Sequence, residues 1–282
     1  MQTIILGAHG QLGHAFCQRL GPTALGLGRE RADLTRPAEL RKLLGELRPQ
    51  TVINCAAYNF VDRAEEHPLE AMEVNLAGTA SLARTCAELD CLLLHFSTDH
   101  VFGQDRQRKS PYTEDGMPGP VNVYGHSKLG GEYAVRSLCP LHFIVRTCGL
   151  YGQAGSTGKR GNFVDTMLRL GREEPRVKVV EDQICTPTFV DDLVEASLNL
   201  LTTQCHGVYH LTNAGSCSWL EFARTIFALA GIAAEAVGVT SAVLARSAQR
   251  PGYSVLDGGR YGNLGFPAMR PWQAALQSYL LK

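Results

Sequence analysis

The sequence predicts an α/β fold: a doubly wound parallel sheet with a smaller C-terminal lobe. Three observations carry this. Short, continuously apolar, β-rich runs recur at Thr3 to Leu6, Ala24 to Leu27, Thr51 to Asn54, Leu92 to Phe96 and Phe143 to Val145. Segments of helix length lie between them with apolar residues at helical spacing, as in Leu40, Leu43, Leu44 and Leu47 of the stretch Pro37 to Leu47. After Arg146 the alternation gives way to a glycine-rich stretch, Gly149 to Gly161, and a more mixed pattern. Strands that are apolar throughout are covered on both faces, which calls for helices above and below a parallel sheet. Right-handed crossovers then favour the doubly wound arrangement.

The first strand runs directly into Gly7-Ala8-His9-Gly10-Gln11-Leu12-Gly13, a GxxGxxG pattern opening a helix expected from Gln11 to Leu20. Glycines so spaced permit a tight turn and close backbone approach to a pyrophosphate, while the helix N-terminus offers free N–H donors and positive dipole. Any strand-to-helix turn can hold three glycines; their place straight after a strand points to dinucleotide binding in a Rossmann-type sheet, with Gly7 and Gly10 at the turn. The second strand ends at Leu27-Gly28-Arg29, where such folds read the adenosine ribose. Arg29 suits the 2′-phosphate of NADP, whereas Glu30 beside it pulls toward NAD, and a solvated loop charge is the plain alternative. Asp33 and Leu34 follow, either as an adenine contact or with Asp33 as a helix cap.

A second crossover helix is expected from Leu69 to Leu89, on Met72, Asn75, Leu76, Leu82 and Ala83. Before it, Asn54-Cys55-Ala56-Ala57-Tyr58 puts small residues at the end of the third strand, where a flat cofactor lies against backbone in open α/β sheets; close helix packing would ask for the same residues. Beyond Gly161 a helix is expected from about Asn162 to Arg172 and a strand at Val177 to Val180. Phe189 to Leu201 and Val208 to Leu211 read as a helix and a strand that return to the main sheet. Residues 1–149 with 188–212 are therefore expected to bind the dinucleotide, and residues 150–187 and 213–282 to form the substrate lobe.

Bulk properties narrow the class. With 282 residues, 45% hydrophobic and 19% charged, the chain can bury a sizeable core. Lys plus Arg balance Asp plus Glu at 27 each, so no net field draws it to nucleic acid or an anionic membrane. Nowhere do ~18 apolar residues run together, so neither a signal peptide nor a membrane span is expected. The nine cysteines form no CxxC pair, which reads as free thiols in a reducing, cytoplasmic setting. No HExxH or paired Cys/His spacing suggests a metal site.

Chemistry concentrates at Tyr124 and Lys128, four apart in a segment that reads as helical from Val123 to Leu138. That spacing puts a phenol and an ammonium on one helix face. A phenol near pKa 10 is a poor acid–base group at neutral pH, and the Lys charge, joined by the positive nicotinamide of an oxidised cofactor, is expected to lower it by ~1–3 units. Upstream, the strand Leu92 to Phe96 ends in Ser97-Thr98-Asp99, whose Thr98 hydroxyl is suited to hold a carbonyl oxygen; a local turn network of the three side chains is the alternative.

Taken together, these motifs resemble the dTDP-4-dehydrorhamnose reductase family of extended short-chain dehydrogenases. The matching stretches are Gly7 to Gly13, Ser97 to Phe102, Asn122 to Gly125 with Lys128 and Glu132, Val145-Arg146-Thr147, Gly161-Asn162-Phe163, Asp182-Gln183 with Pro187-Thr188, and Arg250-Pro251. The resemblance runs almost end to end and implies NAD(P)H-dependent reduction of the 4-keto group of a nucleotide-linked deoxysugar. It implies Tyr124 as proton donor, Lys128 as its partner and ribose ligand, and Thr98 as the hydroxyl at the sugar carbonyl. It also implies Gly10, Gln11, Leu12, Asp33, Leu34, Ala56, Ala57, Tyr58 and Phe96 around the cofactor, with Thr98 and Asp99 touching substrate. Gln183 and Arg250 are candidates for polar contacts to the diphosphate or sugar, an Arg fork being suited to phosphate, and a structural ion pair is the other reading of Arg250. Some relatives form magnesium-linked dimers, which leaves a homodimer open.

The chain departs from the family pattern at two places. His100 stands where a Tyr is usual, and Gly149 where a Trp is usual, two places after Arg146-Thr147. Losing that Trp removes a large apolar contact for the sugar, so a related 4-keto or amino-deoxyhexose is an alternative substrate. Two other readings stand beside the reductase: a non-catalytic NAD(P)-binding regulatory subunit, and an epimerase or dehydratase of the same superfamily.

Overall fold

A computed structural model describes residues 2–153 and 161–281; residues 154–160 of the predicted glycine-rich stretch lie outside the described residues. Strands β1 (Thr3–Leu6), β2 (Ala24–Leu27), β3 (Thr51–Asn54), β4 (Leu92–Thr98) and β5 (His142–Thr147) lie side by side in the order β5-β4-β3-β1-β2, all parallel. The chain then leaves the sheet through β6 (Leu150–Tyr151), β7 (Arg176–Val180), β8 (Ile184–Cys185) and β9 (Thr188–Phe189), and β10 (Gly207–His210) returns to pair with β5. Outside the sheet, β6 pairs with β9, while β11 (Cys217–Ser218) pairs with β8 and β12 (Glu235–Val239) with β7. Because β1 sits between β2 and β3, the crossovers change direction there, which opens the crevice where such sheets bind ligands.

The alternation of side chains along the strands explains the two covered faces. Ile5, Ile53, Leu94, Phe96, Phe143 and Val145 face α1 (Gln11–Leu20) and the C-terminal elements in one apolar cluster. Ile4, Leu6, Val52, Leu93 and Ile144 face the other way, toward α2 (Pro37–Leu47) and the helices that follow. Each such fully buried aliphatic side chain contributes about 1.5–3 kcal/mol. The first cluster continues without a break into Phe222, Ile226 and Trp272 of the C-terminal half.

Three predicted elements, β4, β5 and one crossover helix, differ in extent by more than one residue. Strand β4 runs on through Ser97 and Thr98 because β5 extends as far as Thr147, and the ladder pairs Ser97 with Arg146 and Thr98 with Thr147. The helix expected from Leu69 to Leu89 is instead built from pieces. After α3 (Val61–Glu66) come α4 (Pro68–Met72), a π-turn over Glu73–Gly78, and α5 (Thr79–Glu88). π-turns of this kind are frequent at functional sites, and this one carries Asn75. The catalytic-segment helix is α6 (Val123–Leu138), and α7 (Phe163–Glu173), α8 (Val190–Leu201) and α9 (Trp219–Leu229) complete the larger helices before Trp272–Leu280.

Candidate active site

The glycine turn closes by backbone contacts. Gly7 adopts φ 75°, and a Cβ there would lie 2.8 Å from the Ala56 nitrogen, so the ends of β1 and β3 touch only because Gly7 has no side chain. A Cβ on Gly13 would collide with the Gly7 carbonyl, which lets α1 sit tightly on its own strand. At Gly10 a Cβ would meet only that carbonyl, at 3.3 Å, so its outer side is open. No side chain caps α1, whose first turn carries no acidic residue. Gln11 is buried, yet its Oε1 finds no hydrogen-bond partner among the described residues. An uncapped helix N-terminus beside an open glycine is what the phosphates of a dinucleotide would complete, and the unsatisfied Gln11 oxygen is left to accept from a donor such as a ribose hydroxyl.

At the far edge Arg29 donates to Asp33 at 2.9 Å, and Asp33 also accepts from the Thr35 backbone and hydroxyl, both at 2.9 Å. Burial pulls the Asp33 carboxyl upward, but these donors outweigh it and leave its pKa below the ordinary value. Arg29, Arg31 and Arg36 line a groove of about 520 Å³ with Glu30, Asp33 and Leu40. Leu34 is buried in the core, where Gly78 gives it room. Leu12 is likewise a core residue.

The residues expected to be catalytic converge because α6 approaches two carbonyls that any side chain would keep away. A Cβ on Gly125 would collide with the His100 carbonyl, and one on Gly131 with the Asn75 carbonyl. Asn122 caps the helix by accepting from the Gly125 N–H at 2.7 Å and also donates to the Gln249 carbonyl at 2.7 Å. Tyr124 thereby comes within hydrogen-bonding reach of Thr98, and its ring lies edge-on to His100 at 5.5 Å. Lys128 is buried and donates to the Phe96 carbonyl at 2.6 Å. Asp99 accepts from Thr98 (3.1 Å), Cys148 (3.0 Å) and Ser254 (2.6 Å), so the predicted hydroxyl–carboxylate network is also present, with two partners from elsewhere in the chain.

In the protein alone, the Lys charge does not lower the phenol. Tyr124 is not lowered but pushed up to about 12, mainly by burial, with the Thr98 hydrogen bond opposing and the Asp99 charge adding. Lys128 is pulled down to about 8 by burial, against the charge of Glu132. In this environment desolvation of the phenolate outweighs any help from a neighbouring ammonium. The phenol is therefore held protonated at neutral pH.

Behind these groups lies a charged layer. Arg146 on β5 makes a two-pronged pair with Glu132 on α6, at 2.9 and 2.6 Å, both side chains almost fully buried. Glu132 also accepts from Ser97 on β4, and Arg146 stands 5.1 Å over the Phe102 ring and 3.4 Å from His210 on β10. Asn75 ties the other side: it accepts from the Tyr58 N–H and donates to the Tyr58 carbonyl and Ser127, all at 2.9 Å. That fixes the Ala56-Ala57-Tyr58 backbone against α6.

The remaining candidates lie further out. Arg250 forms a bidentate pair with Asp62 of α3, 2.7 Å at each prong, as the ion-pair reading expects. Gln183 is buried, and its carbonyl accepts from the Trp219 N–H at 3.4 Å. Asn75, Cys148, Ser254 and Asn122 were not singled out as site residues from the sequence. An asparagine in an otherwise apolar helical stripe was the available signal for Asn75; Ser254 carries none. Among the described residues no group of His, Cys, Asp and Glu side chains could hold a metal, and no helix is long and apolar enough to cross a membrane.

Comparison with known proteins gives concordant results. A family model described as the RmlD substrate binding domain matches residues 1–282. The chain is 42% identical to a dTDP-4-dehydrorhamnose reductase of Streptomyces griseus, over 97% of this chain and 91% of that protein. It is 35% identical to a dTDP-4-keto-6-deoxy-D-glucose reductase of Streptomyces niveus, over 97% and 94%. Its structure is similar to that of the Bacillus anthracis dTDP-4-dehydrorhamnose reductase in complex with NADP, with TM-score 0.95, 37% identity and coverage of 99% and 98%.

Proposed function

This chain belongs to the dTDP-4-dehydrorhamnose reductase family, and from that premise we propose that it is an NAD(P)H-dependent oxidoreductase that reduces the 4-keto group of a nucleotide-linked deoxysugar, converting dTDP-4-dehydrorhamnose to dTDP-rhamnose. The observation that carries the proposal is the meeting of Thr98, Tyr124 and Lys128 at the carboxyl end of β4, beside the open glycine turn.

The reduced nicotinamide, when bound, supplies the hydride. Gly7, Gly10, Gln11 and Leu12 would hold the diphosphate, Ala56, Ala57, Tyr58 and Phe96 the nicotinamide side, and Arg29 with Asp33 and Leu34 the adenosine end. Thr98 holds the sugar's carbonyl oxygen, and Tyr124 donates the proton that turns this oxygen into a hydroxyl. A phenol held near 12 is fully protonated at working pH, as a reductase requires of its donor. The buried Lys128 charge favours the phenolate left behind until solvent restores the proton. Asp99, fixed by Cys148 and Ser254, presents a carboxylate to the sugar's hydroxyls. Gln183 serves the diphosphate or sugar, while Arg250 steadies α3 through Asp62.

In the same proposal residues 1–149 with 188–212 form the cofactor-binding part, and 150–187 with 213–282 the substrate lobe. A cytoplasmic setting completes it, supported by nine free cysteines. The test is a coupled assay with purified protein, NADPH and dTDP-4-dehydrorhamnose. Loss of reduced-nicotinamide absorbance with formation of dTDP-rhamnose is the expected result, and no turnover with either cofactor overturns the proposal.

A further inference from the structure

Immediately after β5 the chain passes from Cys148, whose thiol donates to Asp99 at 3.0 Å, to Gly149 in the left-handed region at φ 54°. A Cβ at Gly149 would stand 3.3 Å from Trp219 Cη2 and 3.3 Å from Pro187 Cα. The edge of the Trp219 indole therefore lies over bare backbone, one residue from the thiol that holds the Asp99 carboxylate. Trp219 comes from a distant part of the chain, as the first residue of α9. Its position is fixed on several sides. Ser218 caps the helix by accepting from the Glu221 N–H at 3.1 Å, the Trp219 N–H donates to the Gln183 carbonyl, and the indole packs on Phe163 at 4.6 Å and Phe222 at 6.2 Å. The indole is only half-buried, whereas Trp272, the second tryptophan of the two, is 1% exposed in the core.

A bare glycine floor, a rigid aromatic wall and a fixed carboxylate are the parts a pyranose ring needs. Its C–H face and a 6-methyl group pack on an aromatic surface, and its hydroxyls donate to a carboxylate. We propose that Trp219 is the apolar wall against which the sugar ring of the substrate packs, taking from α9 the place that a side chain at Gly149 cannot fill. This inference rests on the nucleotide-sugar reading above. It also accounts for Gly149 itself: a large residue there would meet both the left-handed backbone and the indole.

The decisive measurement uses the unmodified protein. Because Trp272 is sealed in the core, acrylamide quenching of tryptophan fluorescence reports Trp219. With NADPH present, which cannot pass hydride to a sugar already reduced, dTDP-rhamnose is expected to shield Trp219 and lower the quenching slope, while dTDP alone leaves it unchanged. In steady state, Trp219→Ala is expected to raise KM for dTDP-4-dehydrorhamnose about 3- to 10-fold, with NADPH affinity kept and Trp219→Phe restoring most of the loss. Quenching indifferent to dTDP-rhamnose, or a wild-type KM in Trp219→Ala, overturns the inference while turnover by the wild type leaves the reductase reading standing. Absence of turnover by the wild type removes both.

Discussion

The two halves of the proposed catalytic crevice are built by opposite means. On the β1 side the turn is shaped by missing side chains: Gly7, Gly10 and Gly13 bring backbone to backbone, and the amide of Gln11 is left without a partner. On the β4 side a continuous polar network runs from Ser97 through Glu132 and Arg146 to His210, and from Asp99 to three donors; of the buried side-chain atoms described on β4 and β5, only His95 Nε2 and Thr147 Oγ1 are unpaired. The difference teaches what each half must do. An edge that binds keeps polar groups free for a ligand to satisfy, whereas an edge proposed for catalysis must hold a hydroxyl and a phenol from separate elements in one geometry.

The sharpest way to break this comparison is to remove the proton donor alone. Tyr124→Phe is expected to lower kcat by about 10²–10⁴-fold, with NADPH binding by fluorescence titration nearly unchanged; comparable rates for mutant and wild type would separate the paired edge from the chemistry. In the wild type, kcat/KM for reduction should hold from neutral pH to about 8 and decline above it as Lys128 loses its proton, while the phenol near 12 remains protonated.

Next in size is the charged layer. Glu132→Gln leaves Arg146 buried beside a neutral amide and is expected to cost about 3–5 kcal/mol of stability, read by urea denaturation. If the loss is under about 1 kcal/mol, the layer does not hold the catalytic edge together. On the glycine side, Gly13→Ala forces a methyl group into the Gly7 carbonyl. NADPH affinity should fall by at least tenfold, about 1.4 kcal/mol, in a protein whose β4 side is intact; undiminished affinity would show that the turn can relax.

A smaller effect comes from His210, which burial and the neighbouring Arg146 hold down at about 3 instead of 6.5. Its Nδ1–H donates to the Tyr112 carbonyl at 3.0 Å, so the native protein keeps it neutral. Between these two values the unfolded chain binds a proton that the folded chain refuses. The contribution is complete above about 6.5 and is lost as pH falls toward 3, at no more than about 1.4 kcal/mol per pH unit. His95, buried and lowered in the same direction, adds to the trend. The melting temperature should drop on acidification below 6.5, and His210→Gln should flatten that slope; an unchanged slope removes His210 from the account. The smallest change belongs to the exposed Arg29, paired with Asp33 at the surface. Arg29→Ala is expected to shift the NADPH-to-NADH preference by up to about tenfold, consistent with one charge-assisted contact, and equal preference before and after would exclude it from the adenosine end.

Much of the fold was legible before any coordinates. The bounds of β1, β2, β3, α2 and α6 coincide with those read from apolar runs and helical spacing, because burial on two faces imposes those periods residue by residue. The YxxxK pair and the glycine turn could be read for the same reason, since i,i+4 spacing and a strand-to-helix turn are local geometry. The pKa of Tyr124 could not: whether the nearby Lys charge or the loss of water dominates depends on how deeply the phenol is buried, and burial is a property of the packed molecule.

By itself, then, the sequence determined the strands, the helix faces and the residue types at the ends of β1 and β4, all of which follow from contacts within a few turns of chain. Only the tertiary structure decided that Ser254 and Cys148 steady Asp99, that Arg250 belongs to Asp62, and that an indole from α9 overlies Gly149. Those partners are separated by as many as 188 residues. Their meeting depends on how the crossovers stack the elements, and no local pattern of hydrophobicity or charge encodes which distant side chain arrives.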